Sequence, residues 1–157
     1  MKRRPRRIEQ KVAEQLSAFY FTRGWRPVER IPVIGRTGPD IDIKESGLVI
    51  DVKSRKEVPQ SAFFPYHEIV SFGDGGLIGV RLEDIGLLWT DAQPQHGRQV
   101  TKTVMDYWLH LDEWRIKHRP EGVTCIILHR PGRPVKATTV VIHSLQRSLL
   151  NGKTNND

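Results

Sequence analysis

Apolar residues recur at helical spacing in two stretches of the chain. Near the N-terminus the repeat predicts a helix over residues 8–22 with one buried stripe. The members of this stripe are Ile8, Val12, Leu16 and Phe19. A second repeat predicts a helix over residues 98–118, with a heptad-like seam. The seam consists of Val100, Val104, Tyr107, Leu111 and Trp114. Two interpretations of the seam stay open, packing on a sheet and packing on a second subunit.

Runs of alternating or β-branched residues predict strands outside these helices. The predicted strands cover residues 25–33, 40–44, 48–53, 87–90, 123–129 and 138–143. Ser46-Gly47 supplies a tight turn between the second and third strands, and Pro131-Gly132 lies between the last two, which we expect to pair antiparallel. The remaining segments predict a short helix over 66–71, a loop over 73–79 and a polar turn over 91–97.

This order of elements predicts a single α/β domain over residues 8–150, with a central mixed β-sheet flanked by α-helices. The length of 157 residues suits one domain. Residues 1–7 are rich in Arg and contain Pro5, which predicts a mobile basic arm. The polar residues 151–157 predict a disordered tail. No stretch approaches the ~18 consecutive apolar residues of a membrane helix, so we expect no membrane partner.

Net charge and cysteine content indicate the class of partner and exclude some kinds of site. The chain has 25 Lys and Arg residues against 18 Asp and Glu residues, a formal charge of +7. Such an excess favours a polyanionic partner, usually nucleic acid. Cys125 is the only cysteine, which excludes an internal disulfide and a Cys-based zinc cluster and favours a reducing, cytoplasmic setting. The glycine-rich run 73–76 lacks the Gly-Lys-Ser/Thr element of a phosphate loop, so we expect no nucleotide cofactor.

The candidate chemistry lies in residues 38–56, GPDIDIKESGLVIDVKSRK. Side chains alternate along a strand, so Asp51 and Lys53 point to the same face, and a hairpin between the two strands places Asp40 beside Asp51. Two carboxylates can hold Mg²⁺, which lowers the pKa of a bound water, and a lysine can stabilise the developing negative charge. This pattern predicts phosphodiester hydrolysis. The alternative is that Asp40 is a turn residue and that Asp51 and Lys53 form a solvated strand face.

The pattern resembles that of the PD-(D/E)xK nuclease superfamily over about residues 8–56. Asp40 follows Pro39 as in the PD element, and Asp51 and Lys53 fill the (D/E)xK element. Within the superfamily the chain is similar to archaeal-type Holliday junction resolvases, small proteins with a basic N-terminus and a glutamate on the first helix. The resemblance implies a restriction-endonuclease-like core. A resolvase cuts a junction at two related positions, so we expect a symmetric homodimer. The resemblance further implies a Mg²⁺-dependent DNA endonuclease in which Mn²⁺ can substitute. Its implied substrate is branched DNA, the four-way junction of DNA recombination and DNA repair.

The resemblance also implies roles for individual residues. The implied metal ligands are Glu9, Asp40, Asp51 and the main-chain carbonyl of Val52. Lys53 would assist the attack of water on the phosphate. Glu9 shares a helical face with Val12 and Leu16 and is therefore expected to face the sheet, and Glu14 is its rival for the third carboxylate.

Basic and small polar residues around this segment are the predicted contacts to the DNA backbone. They are Arg3, Arg4, Arg6, Arg7, Arg36, Thr37, Arg55 and Lys56. Residues 35–38 resemble the flexible loop of the resolvases, and a plain hairpin turn is the equal alternative. For the basic arm, the alternative to DNA contact is a contribution to solubility alone.

Two other functions remain open at the level of the sequence. One is a restriction-type or repair endonuclease of the same superfamily, which would need base-edge contacts from an element that enters a groove. The other is a DNA-binding module without chemistry. For all three functions we expect a cytoplasmic protein, either nucleoid-associated or virus-encoded.

Overall fold

A computed structural model describes residues 4–21, 39–43, 47–55, 68–72, 75–89, 95–99, 102–135 and 138–150. The helices are α1 (Arg4–Phe21) and α2 (Lys102–His118), and 3₁₀ helices span Leu82–Trp89 and Ser144–Leu149. The strands are β1 (Ile41–Ile43), β2 (Leu48–Ser54), β3 (Glu68–Phe72), β4 (Gly75–Arg81), β5 (Gln95–Gln99), β6 (Val123–His129) and β7 (Thr139–His143). Within these described residues, no helix combines the length and the apolar character needed to cross a membrane.

One mixed sheet holds the seven strands in the order β1-β2-β6-β7-β4-β3-β5. β2 pairs with β6 and β3 pairs with β5 in parallel, and the other neighbours are antiparallel. The fold is therefore α/β with a central mixed sheet and helices against it, as predicted. The antiparallel pairing of β6 with β7 also confirms the hairpin expected around Pro131-Gly132.

The two faces of the sheet are covered by different elements. On one face, α1 and the 3₁₀ helix Leu82–Trp89 pack against alternate strand residues, among them Ile50 and Val52 of β2. On the other face, α2 packs through Val104, Trp108 and Leu111. The seam residues Val104 and Leu111 are buried inside the chain, so the packing of α2 on a sheet is confirmed. The first seam residue, Val100, lies outside the described residues. A subunit interface through Val104 and Leu111 is wrong, because their side chains are at most 2% exposed.

The hairpin of β1 and β2 forms as the sequence predicts. Ile41 lies opposite Ile50, and Ile43 lies opposite Leu48. Gly47, just before β2, has a φ of 85°, a left-handed conformation that glycine adopts without a steric penalty. The Gly47 N–H donates to the carbonyl of Ile43 at 2.9 Å, which closes the turn. The hairpin brings the start of β1 alongside the second half of β2.

The middle of the chain differs from the prediction. A helix over 66–71 and a loop over 73–79 were expected, and the structure has the antiparallel strands β3 and β4 there. β4 lies in the interior of the sheet between β7 and β3, and Leu77, Ile78 and Val80 are buried on its two faces. Burial of these side chains outweighs the preference of the intervening glycines for turns.

The segment before α2 also differs. The predicted strand 87–90 falls in the 3₁₀ helix Leu82–Trp89, whose Ile85 and Leu88 are buried in the core. The Arg147 guanidinium donates to the carbonyls of Leu87 and Leu88, at 2.7 and 2.9 Å, and so satisfies backbone groups that have no strand partner. The turn expected over 91–97 and the helix expected from residue 98 give way to β5, and α2 begins at Lys102.

Helix α1 begins earlier than predicted. It includes residues 4–7, which were assigned to a mobile arm. Pro5 lies in the first turn, where the missing N–H has no intrahelical acceptor to lose, so it does not prevent the helix from starting at Arg4. The predicted strand 25–33 and the predicted tail 151–157 lie outside the described residues.

Candidate active site

Strand β2 carries two charged side chains on one face. Ile50 and Val52 are directed to the face covered by α1, so Asp51 and Lys53 are directed to the face covered by α2. The Nζ atom of Lys53 lies 3.2 Å from Oδ2 of Asp51, and the two side chains are only 17% and 14% exposed. The predicted common orientation of Asp51 and Lys53 is therefore confirmed.

Asp40 is fixed against β2 by two backbone hydrogen bonds. Its N–H donates to the carbonyl of Ile50, and its Oδ2 accepts from the N–H of Val52, each at 2.8 Å. The second bond draws the carboxyl group onto β2, where it shares a hydrogen bond with the carboxyl group of Asp51. The hairpin thus brings Asp40, Asp51 and Lys53 together, as the sequence predicts.

The carboxyl groups of Asp40 and Asp51 do not both ionise easily. Burial, the hydrogen bond to Asp51 and the charge of Asp51, in this order, raise the pKa of Asp40 to about 8, against the opposing effect of the Val52 N–H. At neutral pH, Asp40 therefore retains a proton in the metal-free protein. The proton relieves the repulsion between the two adjacent carboxylates, and a bound cation can take its place.

A third carboxylate, on helix α1, acts on Asp40. Glu9 lies on α1, is half-buried, and its charge further raises the pKa of Asp40. Glu14, the rival in the sequence, is exposed. Because α1 buries Val12 and Leu16 against the sheet, Glu9 at the same helical face lies near the acids and Glu14 does not. The electrostatic contact favours Glu9 as the third acidic residue of the site.

Helix α2 contributes an aromatic ring to the site. The Nζ atom of Lys53 lies 5.0 Å from the centroid of the Tyr107 ring. A cation over an aromatic face is attracted by the ring quadrupole, so Tyr107 and Asp51 hold the ammonium group from two sides. Tyr107 was missed as a site residue because its place in the α2 seam indicates only packing. The contact depends on α2 crossing β2 near Lys53, and no local pattern in the sequence shows that crossing.

The donor set suits a hard divalent cation. Mg²⁺ prefers oxygen ligands and is commonly held by one or two carboxylates while it keeps several waters. Asp40 and Asp51 supply such a pair. The N–H and C=O of a strand residue point to the same side, so the Val52 carbonyl is directed towards Asp40, like its N–H. Among the described residues, no three His, Cys, Asp or Glu side chains already converge on one metal position. Coordination of the metal by Glu9 stays a prediction.

The predicted DNA contacts are only partly described. Arg55 follows β2 directly and is exposed. Arg4, Arg6 and Arg7 belong to the first turns of α1. Arg3, Arg36, Thr37 and Lys56 lie outside the described residues.

Comparison with known proteins adds no relative. No protein-family model matches the chain, and searches of curated proteins and of solved structures found no match. The function is therefore inferred from the chemistry and geometry of the site.

Proposed function

We propose that this protein is a Mg²⁺-dependent, structure-selective DNA endonuclease that resolves four-way junctions by hydrolysing phosphodiester bonds. The observation that carries the proposal is the pairing of the Asp40 and Asp51 carboxyl groups, with the Lys53 ammonium 3.2 Å from Asp51. Two adjacent carboxyl groups can bind a metal ion, and the ammonium of Lys53 beside them can interact with the phosphate of a substrate. The position of these residues on a hairpin of a mixed α/β sheet also supports a restriction-endonuclease-like core.

In the proposed reaction each residue has a separate task. Asp40 and Asp51, with the Val52 carbonyl, would hold Mg²⁺, which when bound polarises the phosphate and makes a water more acidic. Val52 orients the Asp40 carboxyl through its N–H. Lys53 is positioned to stabilise the negative charge that develops on the phosphate oxygens or to orient the water. A bond from phosphorus to the water oxygen forms, one P–O ester bond breaks, and the departing oxygen receives a proton.

The partial burial of Lys53 strengthens its interaction with negative charge on a phosphate. Its side chain is 17% exposed, and its ammonium is held by Asp51 and by the ring of Tyr107. An electrostatic interaction is stronger in such a site than in water, and a fixed group needs no reorganisation when charge develops. Lys53 therefore combines a fixed position with a charge that matches the transition state of phosphoryl transfer.

The substrate and the assembly follow from charge and stoichiometry. A formal charge of +7 favours a nucleic-acid partner. Resolution of a four-way junction needs two related cuts, and each chain has one cluster of Asp40, Asp51 and Lys53. The proposal therefore includes a symmetric homodimer, with each active site cutting one strand. Sedimentation showing a monomer at micromolar concentration, with or without junction DNA, would contradict this part of the proposal.

A cleavage assay with three DNA substrates tests the proposed function. The protein is incubated with Mg²⁺ and with a four-way junction, a linear duplex or a single strand of matched sequence. Our proposal predicts symmetric cuts in the junction and little cleavage of the other two. Sequence-specific cleavage of the duplex would instead identify a restriction-type or repair endonuclease. Binding of DNA with no cleavage in Mg²⁺ or Mn²⁺ would identify a DNA-binding module without chemistry.

A further inference from the structure

The turn between β6 and β7 presents two arginines at its ends. Its residues are Arg130, Pro131, Gly132 and Arg133, and the N–H of Arg133 donates to the carbonyl of Arg130 at 3.0 Å. Pro followed by a Gly with a φ of 91° is the signature of a type II turn, which brings its first and fourth Cα atoms within about 7 Å. The tip is exposed, and no atom lies within 4 Å of the position that a Gly132 Cβ would occupy.

A buried histidine fastens this turn to the end of β2. His129 is 3% exposed, and its Nε2 lies 2.9 Å from the carbonyl oxygen of Arg133. A carbonyl can only accept, so Nε2 is the donor, and in the neutral ring Nδ1 then accepts from the Ser54 hydroxyl at 2.8 Å. Both ring nitrogens are thus used to hold the turn against the last residue of β2.

The same register brings a third arginine to this end of the sheet. Ser54 and His129 are neighbours in the parallel pair β2–β6, so Arg55 and Arg130 follow adjacent strand ends. Arg55 is two residues from Lys53, a chain distance of at most about 7 Å. Within the described part of the chain, neither Arg130 nor Arg133 forms an ion pair with a carboxylate. Among the described residues, no carboxylate therefore neutralises their positive charge.

We infer that Arg130 and Arg133, together with Arg55, form a surface that binds the phosphate backbone of DNA next to the candidate active site. The inference rests on the proposed function, because the DNA bound at this surface is the substrate of the candidate active site. A guanidinium group binds phosphate oxygens in a bidentate manner and keeps its charge at every physiological pH. Contacts of this kind position a strand without reading its bases, which suits an enzyme that recognises the structure of a junction.

Salt dependence of junction binding tests the inference without relying on cleavage. Binding of a four-way junction is measured without divalent metal, between 50 and 200 mM salt, for the wild type, Arg130→Gln, Arg133→Gln and the double variant. Each lost contact to duplex phosphate should make the slope of log affinity against log salt shallower by about 0.9. The affinity of the double variant should therefore fall about 12-fold less than that of the wild type across this range.

Two further variants separate position from charge. Lys117→Gln also removes one positive charge, but Lys117 is an exposed residue near the end of α2, at the opposite end of β6, so its salt slope should match the wild type. Gly132→Ala keeps both arginines, but its φ of 91° disfavours alanine, so it should weaken junction binding by displacing them. Circular dichroism checks that each variant is folded.

The outcomes distinguish this inference from the proposed function. An unchanged salt slope in the folded double variant, or an equal effect of Lys117→Gln, would overturn the basic surface even if the wild type cleaves junctions. Conversely, shallower slopes in the arginine variants would support the surface even if the wild type fails to cleave any DNA in Mg²⁺, a result that would overturn the proposed function alone.

Discussion

Two clusters, each with an acidic and a basic side chain, lie on the face of the sheet that α2 covers. One contains Asp51 and Lys53, and the other contains Asp112 and Arg115. Tyr107, which contacts Lys53, and Arg115 are eight residues apart, a distance of about 12 Å along the helix. Asp51 and Lys53 are as well buried as Asp112 and Arg115, which are 15% and 10% exposed. Burial and an ion pair are therefore common to both clusters.

The clusters differ in how completely their charges are matched. Arg115 Nε donates to Asp112 Oδ1 at 2.8 Å and to Thr124 Oγ1 at 3.0 Å, and its NH1 donates to the carbonyls of Pro120 and Gly122. Asp112 Oδ1 also accepts from the Thr124 hydroxyl and from the Gln146 amide. This cluster has one charge of each sign and many hydrogen bonds, so it has the properties of a structural anchor.

The cluster at β2 has instead more acid than base. The ammonium of Lys53 pairs with Asp51. Asp40 lies beside Asp51, Glu9 adds a further negative charge, and the pKa of Asp40 rises to about 8 as a result of burial and of these acids. The comparison shows that burial alone does not separate a structural pair from a functional site. An excess of one charge, which only a proton or a cation from solution can balance, is the feature that distinguishes them.

The largest expected difference concerns stability. Arg115→Ala leaves Asp112 buried beside uncharged groups and should lower the free energy of unfolding by about 3–5 kcal/mol. Asp40→Asn should not lower it at pH 7, because an amide can accept from Val52 and donate to Asp51 as the protonated carboxyl does. The variant also removes the cost of taking up a proton at Asp40 on folding, so its stability at pH 7 should be equal to that of the wild type or higher. Urea denaturation of both variants measures the difference. An equally large loss for Asp40→Asn would show that the acidic cluster is also a structural anchor.

The next effect in size is stabilisation by metal. At a Mg²⁺ concentration 100-fold above its dissociation constant, the free energy of unfolding should rise by about 2.7 kcal/mol at pH 8.5. The gain should be smaller at pH 6, because a proton on Asp40 competes with the metal. Asp51→Asn should remove the gain, whereas Asp106→Asn, on the exposed side of α2 beside Lys102, should retain it. Equal Mg²⁺ stabilisation of Asp51→Asn and Asp106→Asn would place the metal elsewhere.

Without metal, stability should depend on pH through Asp40. Its pKa is 3.8 in the unfolded reference and about 8 in the folded protein, so between these values the folded state binds more protons. This contribution to stability is complete below pH 3.8 and is lost as the pH rises towards 8. Asp40→Asn should remove this dependence, which denaturation in EDTA at several pH values measures. A wild type and an Asp40→Asn variant with the same pH profile would contradict the protonated pair.

The smallest expected effect belongs to Tyr107. Tyr107→Leu keeps an apolar side chain on the sheet but removes the ring under Lys53, a contact worth about 1 kcal/mol, so the rate of junction cleavage should fall about fivefold. Tyr107→Phe keeps the ring and should restore most of the rate. Single-turnover cleavage measures both variants, and equal rates for them would show that the ring does not position Lys53.

The β1–β2 hairpin and its charged residues were predictable because the information is local. Strict alternation in β2 determines that Asp51 and Lys53 share a face, and the antiparallel pairing of β1 with β2 brings Asp40 to them. The contacts of Tyr107 with Lys53 and of His129 with Ser54 and Arg133 were not predictable. They join elements far apart in the chain and depend on the crossing of α2 and the parallel register of β2 and β6.

The wrong predictions of secondary structure in the middle of the chain have a related cause. β4 has three glycines among seven residues, and local preference assigns such a run to a loop. Its position between β7 and β3 buries it, and sheet hydrogen bonds to both neighbours then decide its conformation. The apolar residues of the 3₁₀ helix Leu82–Trp89 are equally compatible with a strand. The hydrogen bonds from Arg147 to the carbonyls of Leu87 and Leu88 favour the helix. In both segments tertiary contacts override local propensity.

The proposed active site is tested most directly by comparing how the wild type and Asp51→Asn cleave a four-way junction. The rates are measured under single-turnover conditions in Mg²⁺ with saturating protein. We predict that the wild type cuts the junction, that Asp51→Asn is slower by at least about 10²–10³-fold because several kcal/mol of metal-dependent stabilisation are lost, and that Asp106→Asn cuts at the wild-type rate. Junction affinity should be similar for all three proteins. Cleavage by Asp51→Asn at the wild-type rate would contradict the assignment of the Asp40, Asp51 and Lys53 cluster as the active site.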